Sequence, residues 1–94
     1  MKLKILKPST IVAEAEVDAV TLPGLAGQLT PMSGHDLLIT PLKAGVVYFK
    51  PLVNGVVGDK QEYKIGDGFA EILKDRVTVF TESAEAIVKN MEAV

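Results

Sequence analysis

Residues 62–81 read Glu62-Tyr63-Lys64-Ile65-Gly66-Asp67-Gly68-Phe69-Ala70-Glu71-Ile72-Leu73-Lys74-Asp75-Arg76-Val77-Thr78-Val79-Phe80-Thr81. Three runs rich in β-branched and aromatic residues are parted first by Gly66-Asp67-Gly68 and then by Lys74-Asp75. That arrangement predicts three short strands joined by tight turns. The same rhythm extends outward toward the N-terminus. Leu3 and Ile5 alternate with Lys2 and Lys4 as in a half-buried strand closed by Pro8-Ser9, and the alternation resumes from Ile11 to Leu22 as two short strands. There Ala13, Ala15, Val17 and Ala19 share one face, and Glu14, Glu16 and Asp18 the other. Pro23-Gly24, Ala26-Gly27, Pro31, Ser33-Gly34 and Pro41 punctuate the middle of the chain, where no helical period accumulates. Leu37-Leu38-Ile39-Thr40 reads as a buried strand and Gly45 to Lys50 as another, ending before Pro51. Asn54-Gly55 is a tight-hairpin dipeptide, with Gly58 and Asp59 close enough to leave a longer loop open. Short strands at near-regular spacing without βαβ units predict an all-β fold, a small two-sheet β-sandwich of about ten short strands.

Beyond Ser83 the period changes. Ala84, Ile87, Val88 and Met91 fall at i, i+3, i+4 and i+7, which predicts a short helix. The expected organisation is a β-sandwich domain over residues 1–83 and a helical tail over 84–94. At 94 residues there is room for one core only, and subunit contacts would assist so small a domain.

Composition narrows the function. Ten basic residues stand against twelve acidic ones, divided four to four before Val47 and six to eight after it, so no basic stripe exists to bind nucleic acid. No window approaches the ~20 apolar residues of a spanning helix, so no membrane insertion is expected. The absence of cysteine removes disulfides and thiolate chemistry. His35 is the only histidine and lacks any metal-ligand spacing, and Ser33, His35 and Asp36 lie too close in sequence to converge as a catalytic triad. Glu14, Glu16 and Asp18 read as a solvated strand face rather than as a carboxylate site. Gly66-Asp67-Gly68 has Glu71 where a dinucleotide fingerprint needs its third glycine, so it reads as a turn. No catalytic residue, metal or cofactor is therefore expected. What stands out is the apolar content of a loop-rich stretch: Leu22, Leu25, Leu29, Met32, Leu37 and Leu38 exceed its own packing needs, and some are expected to face a partner.

Two segments carry a family likeness. Residues 22–45, Leu22-Pro23-Gly24-Leu25-Ala26-Gly27-Gln28-Leu29-Thr30-Pro31-Met32-Ser33-Gly34-His35-Asp36-Leu37-Leu38-Ile39-Thr40-Pro41-Leu42-Lys43-Ala44-Gly45, resemble the G-E-L-G-I-L-P-G-H-A-P-L-L-T-x-L-K-P-G signature of the epsilon subunit of F-type ATP synthases. Gly68 to Ile72, with Asp75 to Glu85, resembles that family's G-G-F-A-E-V and D-R-V-T-V-L-A-D-x-A-E segments. The likeness covers about residues 1–86. It implies a non-catalytic rotor subunit beside the foot of the central stalk, binding the gamma subunit and the c-subunit ring and coupling proton-driven rotation to ATP synthesis. Such a complex is peripheral to the membrane, at the cytoplasmic face of the bacterial inner membrane.

Position by position, the resemblance implies partner contacts from Gly27, Gln28, Leu29, Met32, Gly34 and His35. Gln28 replaces the family's usual glutamate, Asp36 a common alanine and Ala44 a proline, and Leu52 to Asp59 is longer than the family's hairpin connection. Full-length members continue into a two-helix C-terminal domain that can inhibit ATP hydrolysis. Residues 84–94 hold only its first turns, so a coupling subunit without that arm is expected. Two other classes remain beside this one: a β-sandwich adaptor outside an ATP synthase, and a small sandwich hydrolase.

Overall fold

The computed structural model describes residues 1–31 and 37–88. Strand β1 (Lys2–Lys7) is the centre of one sheet because its alternation buries Leu3 and Ile5 completely and leaves its lysines at the surface. It pairs antiparallel with β2 (Thr10–Gly24), Leu3 opposite Ala15, and parallel with β9 (Arg76–Thr81), Leu3 opposite Val77 and Ile5 opposite Val79. From β9 the sheet runs antiparallel through β8 (Gly68–Leu73) to β4 (Leu38–Leu42), and β3 (Gly27–Leu29) folds back on the end of β2. In the second sheet β5 (Gly45–Val53) lies between β2 and β7 (Gln61–Ile65), with β10 (Ala84–Ala86) outside β7 and β6 (Val56–Val57) doubling back on β5. The core lies between the two sheets. Leu3, Ile5, Ala70, Ile72, Val77 and Val79 come from the first and Val20, Val47, Phe49 and Ile65 from the second. The all-β sandwich of ten strands matches the sequence reading.

Strand β2 belongs to both sheets, and this is where the fold departs from the expected pair of short strands. Residues up to 16 pair with β1, and Val17 to Thr21 pair with β5. A register break between Val17 and Ala19 adds one residue to the alternation, which buries Val17 and Val20 and turns Ala19 to solvent. A bulge of this kind bends a strand, letting one continuous segment of 15 residues turn the corner between sheets. Pro51 does not end β5 as expected. It sits within the strand opposite Val17, next to that break, where a ladder can do without its N–H. Its carbonyl accepts from the Gly58 N–H at 2.7 Å.

Two further expectations are corrected. The strand at Leu38 to Leu42 forms, but Leu37, Leu38 and Ile39 are exposed rather than buried. Residues 84–86 are strand, not the first turn of a helix. Ala84 pairs with Ile65 and Ala86 with Tyr63, and the Ile87 N–H donates to the Glu62 carbonyl at 2.9 Å. An isolated short helix is marginal, whereas the open edge of β7 satisfies these backbone groups at once. Ala84 to Ala86 therefore belong to the sandwich, and the part of the expected helix from residue 89 on lies outside the described residues.

The chain leaves β9 through a polar lock. Thr81 is 5% exposed, with Oγ1 at 3.2, 3.1 and 3.0 Å from the carbonyl oxygens of Gly66, Asp67 and Ser83. The hydroxyl donates among these carbonyls and accepts from the Ser83 N–H at 3.4 Å. Thr81→Val keeps the β-branched shape but removes the donor, so a loss of about 1–3 kcal/mol is expected, read as a lower urea midpoint at unchanged slope. An unchanged midpoint would show that the hydroxyl is dispensable.

Candidate interaction surface

The β2–β3 hairpin carries three of the residues assigned to partner contact. Leu25 and Ala26 span its turn, and Gly27, at φ +130°, leads into β3. Leu22 faces Leu29, Pro23 faces Gln28 and Gly24 faces Gly27. Gly27 and Gln28 are exposed and Leu25 is 61% exposed, so the tip offers these groups to solvent. Leu29 differs, being half-buried and packed against the core. It closes over Gly24, where an added Cβ would lie 2.8 Å from Leu29 Cδ2, and the neighbouring Thr30 hydroxyl shares a 2.9 Å hydrogen bond with that of Thr21. Leu29 thus fastens the hairpin to the sandwich more than it presents a contact. Met32, Gly34 and His35 lie outside the described residues.

A second surface emerges on the outer face of the first sheet. Strand register puts Leu6 beside Phe80, Phe80 beside Phe69 and Phe69 beside Pro41, all directed away from the core because their neighbours Ile5, Val79 and Ala70 point into it. The Phe69 and Phe80 rings stack with centroids 4.8 Å apart. In the next row, Ile39, 57% exposed, stands beside Glu71, and the row continues through Thr78 to Lys4. An open cleft of about 770 Å³ lies over the apolar row, with Leu6, Pro8, Phe69 and Phe80 among its lining and Lys7, Asp67 and Glu82 also at its wall. Asp67 is fixed there by accepting the Ala44 N–H at 2.9 Å. An apolar centre with a charged margin is the usual anatomy of a protein-binding patch.

Sequence reading missed this surface, although a signal was present. Phe69 is in phase with Glu71 and Phe80 with Thr78, so each aromatic occupies the outward position of its strand. Toward the far corner of the same face the character becomes ionic. Glu14 meets Lys2 at 3.2 Å and Lys4 at 3.8 Å, and Glu16 meets the amino group of Met1 at 2.8 Å. Glu14 and Glu16 are thus engaged in exposed ion pairs, and among the described residues no group of three metal-ligating side chains comes together.

Comparison with known proteins gives the family. Residues 1–87 match the family model described as ATP synthase, Delta/Epsilon chain, beta-sandwich domain. The chain is 37% identical over 84 residues to the ATP synthase epsilon chain of Hydrogenobaculum sp., covering 89% of this chain and 57% of that one. To the chloroplastic epsilon chain of Phaeodactylum tricornutum it is 35% identical over 88 residues, covering 93% and 62%. It therefore spans roughly three fifths of the length of these relatives. Among solved structures, a chain of the Euglena gracilis mitochondrial ATP synthase (OSCP/F1/c-ring) superposes with a TM-score of 0.75 at 24% identity, covering 89% of this chain and 51% of that one. A chain of the central stalk and c-ring of the Tetrahymena thermophila enzyme gives 0.68 at 12%, covering 90% and 65%. At these identities the structural matches speak for the fold.

Proposed function

The chain belongs to the delta/epsilon-chain β-sandwich family of ATP synthase, and from that premise we propose that it is a non-catalytic epsilon subunit of the central stalk, joining the gamma subunit to the c-subunit ring. It acts by holding surfaces together, so proton-driven rotation of the ring reaches the catalytic head. The observation that carries this reading is the outward row Leu6, Phe80, Phe69 and Pro41, an apolar strip flanked by exposed Ile39 on a sheet face whose far corner is ionic. In the proposed arrangement this face meets gamma, while Gly27 and Gln28 at the β3 hairpin tip meet the polar loops of the ring. Met32, Gly34 and His35 are proposed to contribute to partner contact as well. The subunit is peripheral to the membrane and held there by its partners, at the cytoplasmic face in a bacterial cell.

Titration calorimetry of the chain into the gamma subunit of the same organism tests the assignment. One-to-one submicromolar binding is expected, and no heat of binding between two folded proteins at tens of micromolar would overturn it. Gln28 allows a finer prediction. Exposed at the tip, it exchanges hydrogen bonds but brings no charge. Gln28→Glu is expected to change affinity for the assembled ring and stalk severalfold at low salt, with the difference shrinking as salt screens it. An effect equal at all ionic strengths would mean that no charged group lies opposite.

A further inference from the structure

Asn54 and Gly55 form the entire loop between β5 and β6, with φ of 53° and 78°. A two-residue turn with both central residues at positive φ suits asparagine followed by glycine. Both are exposed, and β6 is held to β5 by only two residue pairs, Leu52 with Val57 and Val53 with Val56, and by the Gly58 N–H to Pro51 carbonyl bond just beyond them. In such a turn the N–H of the second loop residue takes no part in the ladder, and glycine has no side chain to shield it. We infer that Asn54 is a site of spontaneous covalent modification, deamidating through the Gly55 nitrogen to aspartate and isoaspartate.

The deprotonated backbone nitrogen of Gly55 attacks Cγ of Asn54. The N–Cγ bond forms, the Cγ–Nδ2 bond breaks, and ammonia leaves with a proton taken from water. Water then opens the five-membered imide at one of its two carbonyls, giving aspartate or isoaspartate. The net change is one water consumed and one ammonia released. A left-handed Asn54 must rotate about its Cα–C bond before the nitrogen reaches Cγ, so the reaction proceeds from an opened hairpin tip. A two-residue strand with exposed valines opens at low cost. The product makes the net charge of −2 one unit more negative. Isoaspartate also lengthens the backbone by a methylene within a loop of two residues, which breaks the Val53–Val56 pair.

The test incubates the full chain at neutral and mildly alkaline pH, folded and in urea, and follows the tryptic peptide ending at Lys60 by mass spectrometry. The expected result is a growing population whose mass reflects exchange of an amide NH₂ for OH, resolved into two chromatographic species. Its rate rises with pH and is about tenfold faster in urea, where the tip is always open. The product is absent from Asn54→Gln, whose ring would have six members. Asn90, followed by Met91, is the internal slow reference. If Asn54 in the folded chain stays intact over many half-times of the urea-unfolded chain, the inference is overturned.

Discussion

Gly68→Ala is expected to cost the sandwich at least about 3 kcal/mol, a large share of the roughly 5–15 kcal/mol that stabilises a typical domain. Gly68 lies opposite Thr81 at the start of β8, and an added Cβ would stand 1.9 Å from the Phe80 carbonyl oxygen, with the Phe80 carbonyl carbon and Thr81 Cα both at 3.0 Å. All three neighbours are backbone, so no side-chain rotation relieves the contact. The chain must instead part β8 from β9, and β9 carries Val77 and Val79 into the core and pairs with β1 on its other edge. Gly66→Ala serves as the comparison. There the new Cβ meets the Ser83 hydroxyl at 2.7 Å, the end of an exposed side chain that can swing away, so about 1 kcal/mol or less is expected. Urea denaturation followed by far-ultraviolet circular dichroism measures both. Equal losses would refute the close approach of β8 to β9 as the reason for glycine at position 68.

The core was legible wherever alternation ran unbroken. Leu3 and Ile5, Ala70 and Ile72, Val77 and Val79 all point inward in phase with a period of two. Legibility failed where a tertiary partner decided the outcome. The bulge after Val17 depends on β5 lying alongside, and nothing local to Asp18 or Ala19 announces it. Ala84 and Val88 have helical spacing, yet the open edge of β7 takes Ala84 to Ala86 as a strand because pairing there satisfies more backbone than one helical turn can. Leu37 to Ile39 look like core since apolar runs usually are, but Ile39 takes the outward phase of β4, on a face that no other described strand covers, and Leu38, though in phase with buried Leu42, lies at the exposed start of the strand. At the candidate surface, family likeness drew attention to the β3 hairpin, while the outward phase of Phe69 and Phe80 lay in plain view in strands already assigned.

Ile39→Lys is expected to weaken binding to the gamma subunit by at least about tenfold, 1.4 kcal/mol, while leaving the fold intact. Ile39 is more than half exposed and points outward, and its neighbour across the strands is Glu71. The new ammonium gains a cross-strand carboxylate, a pairing worth roughly 0.2–1 kcal/mol, so little stability is lost. Docking an apolar partner over the same spot would strip water from a charge, and that penalty is what the titration reads. Leu29→Asp is a poor probe beside it, since Leu29 packs into the hairpin and core and its loss confuses unfolding with lost contact. Phe69→Ser is the second arm. It removes the aromatic stack at the centre of the row and is expected to reduce affinity at least as much, with denaturation run in parallel to account for the lost ring packing. If both variants are folded and bind gamma as the parent does, the outer face of the first sheet is not the docking surface, and the contact must then be sought at the β3 hairpin, where Gln28→Glu reports.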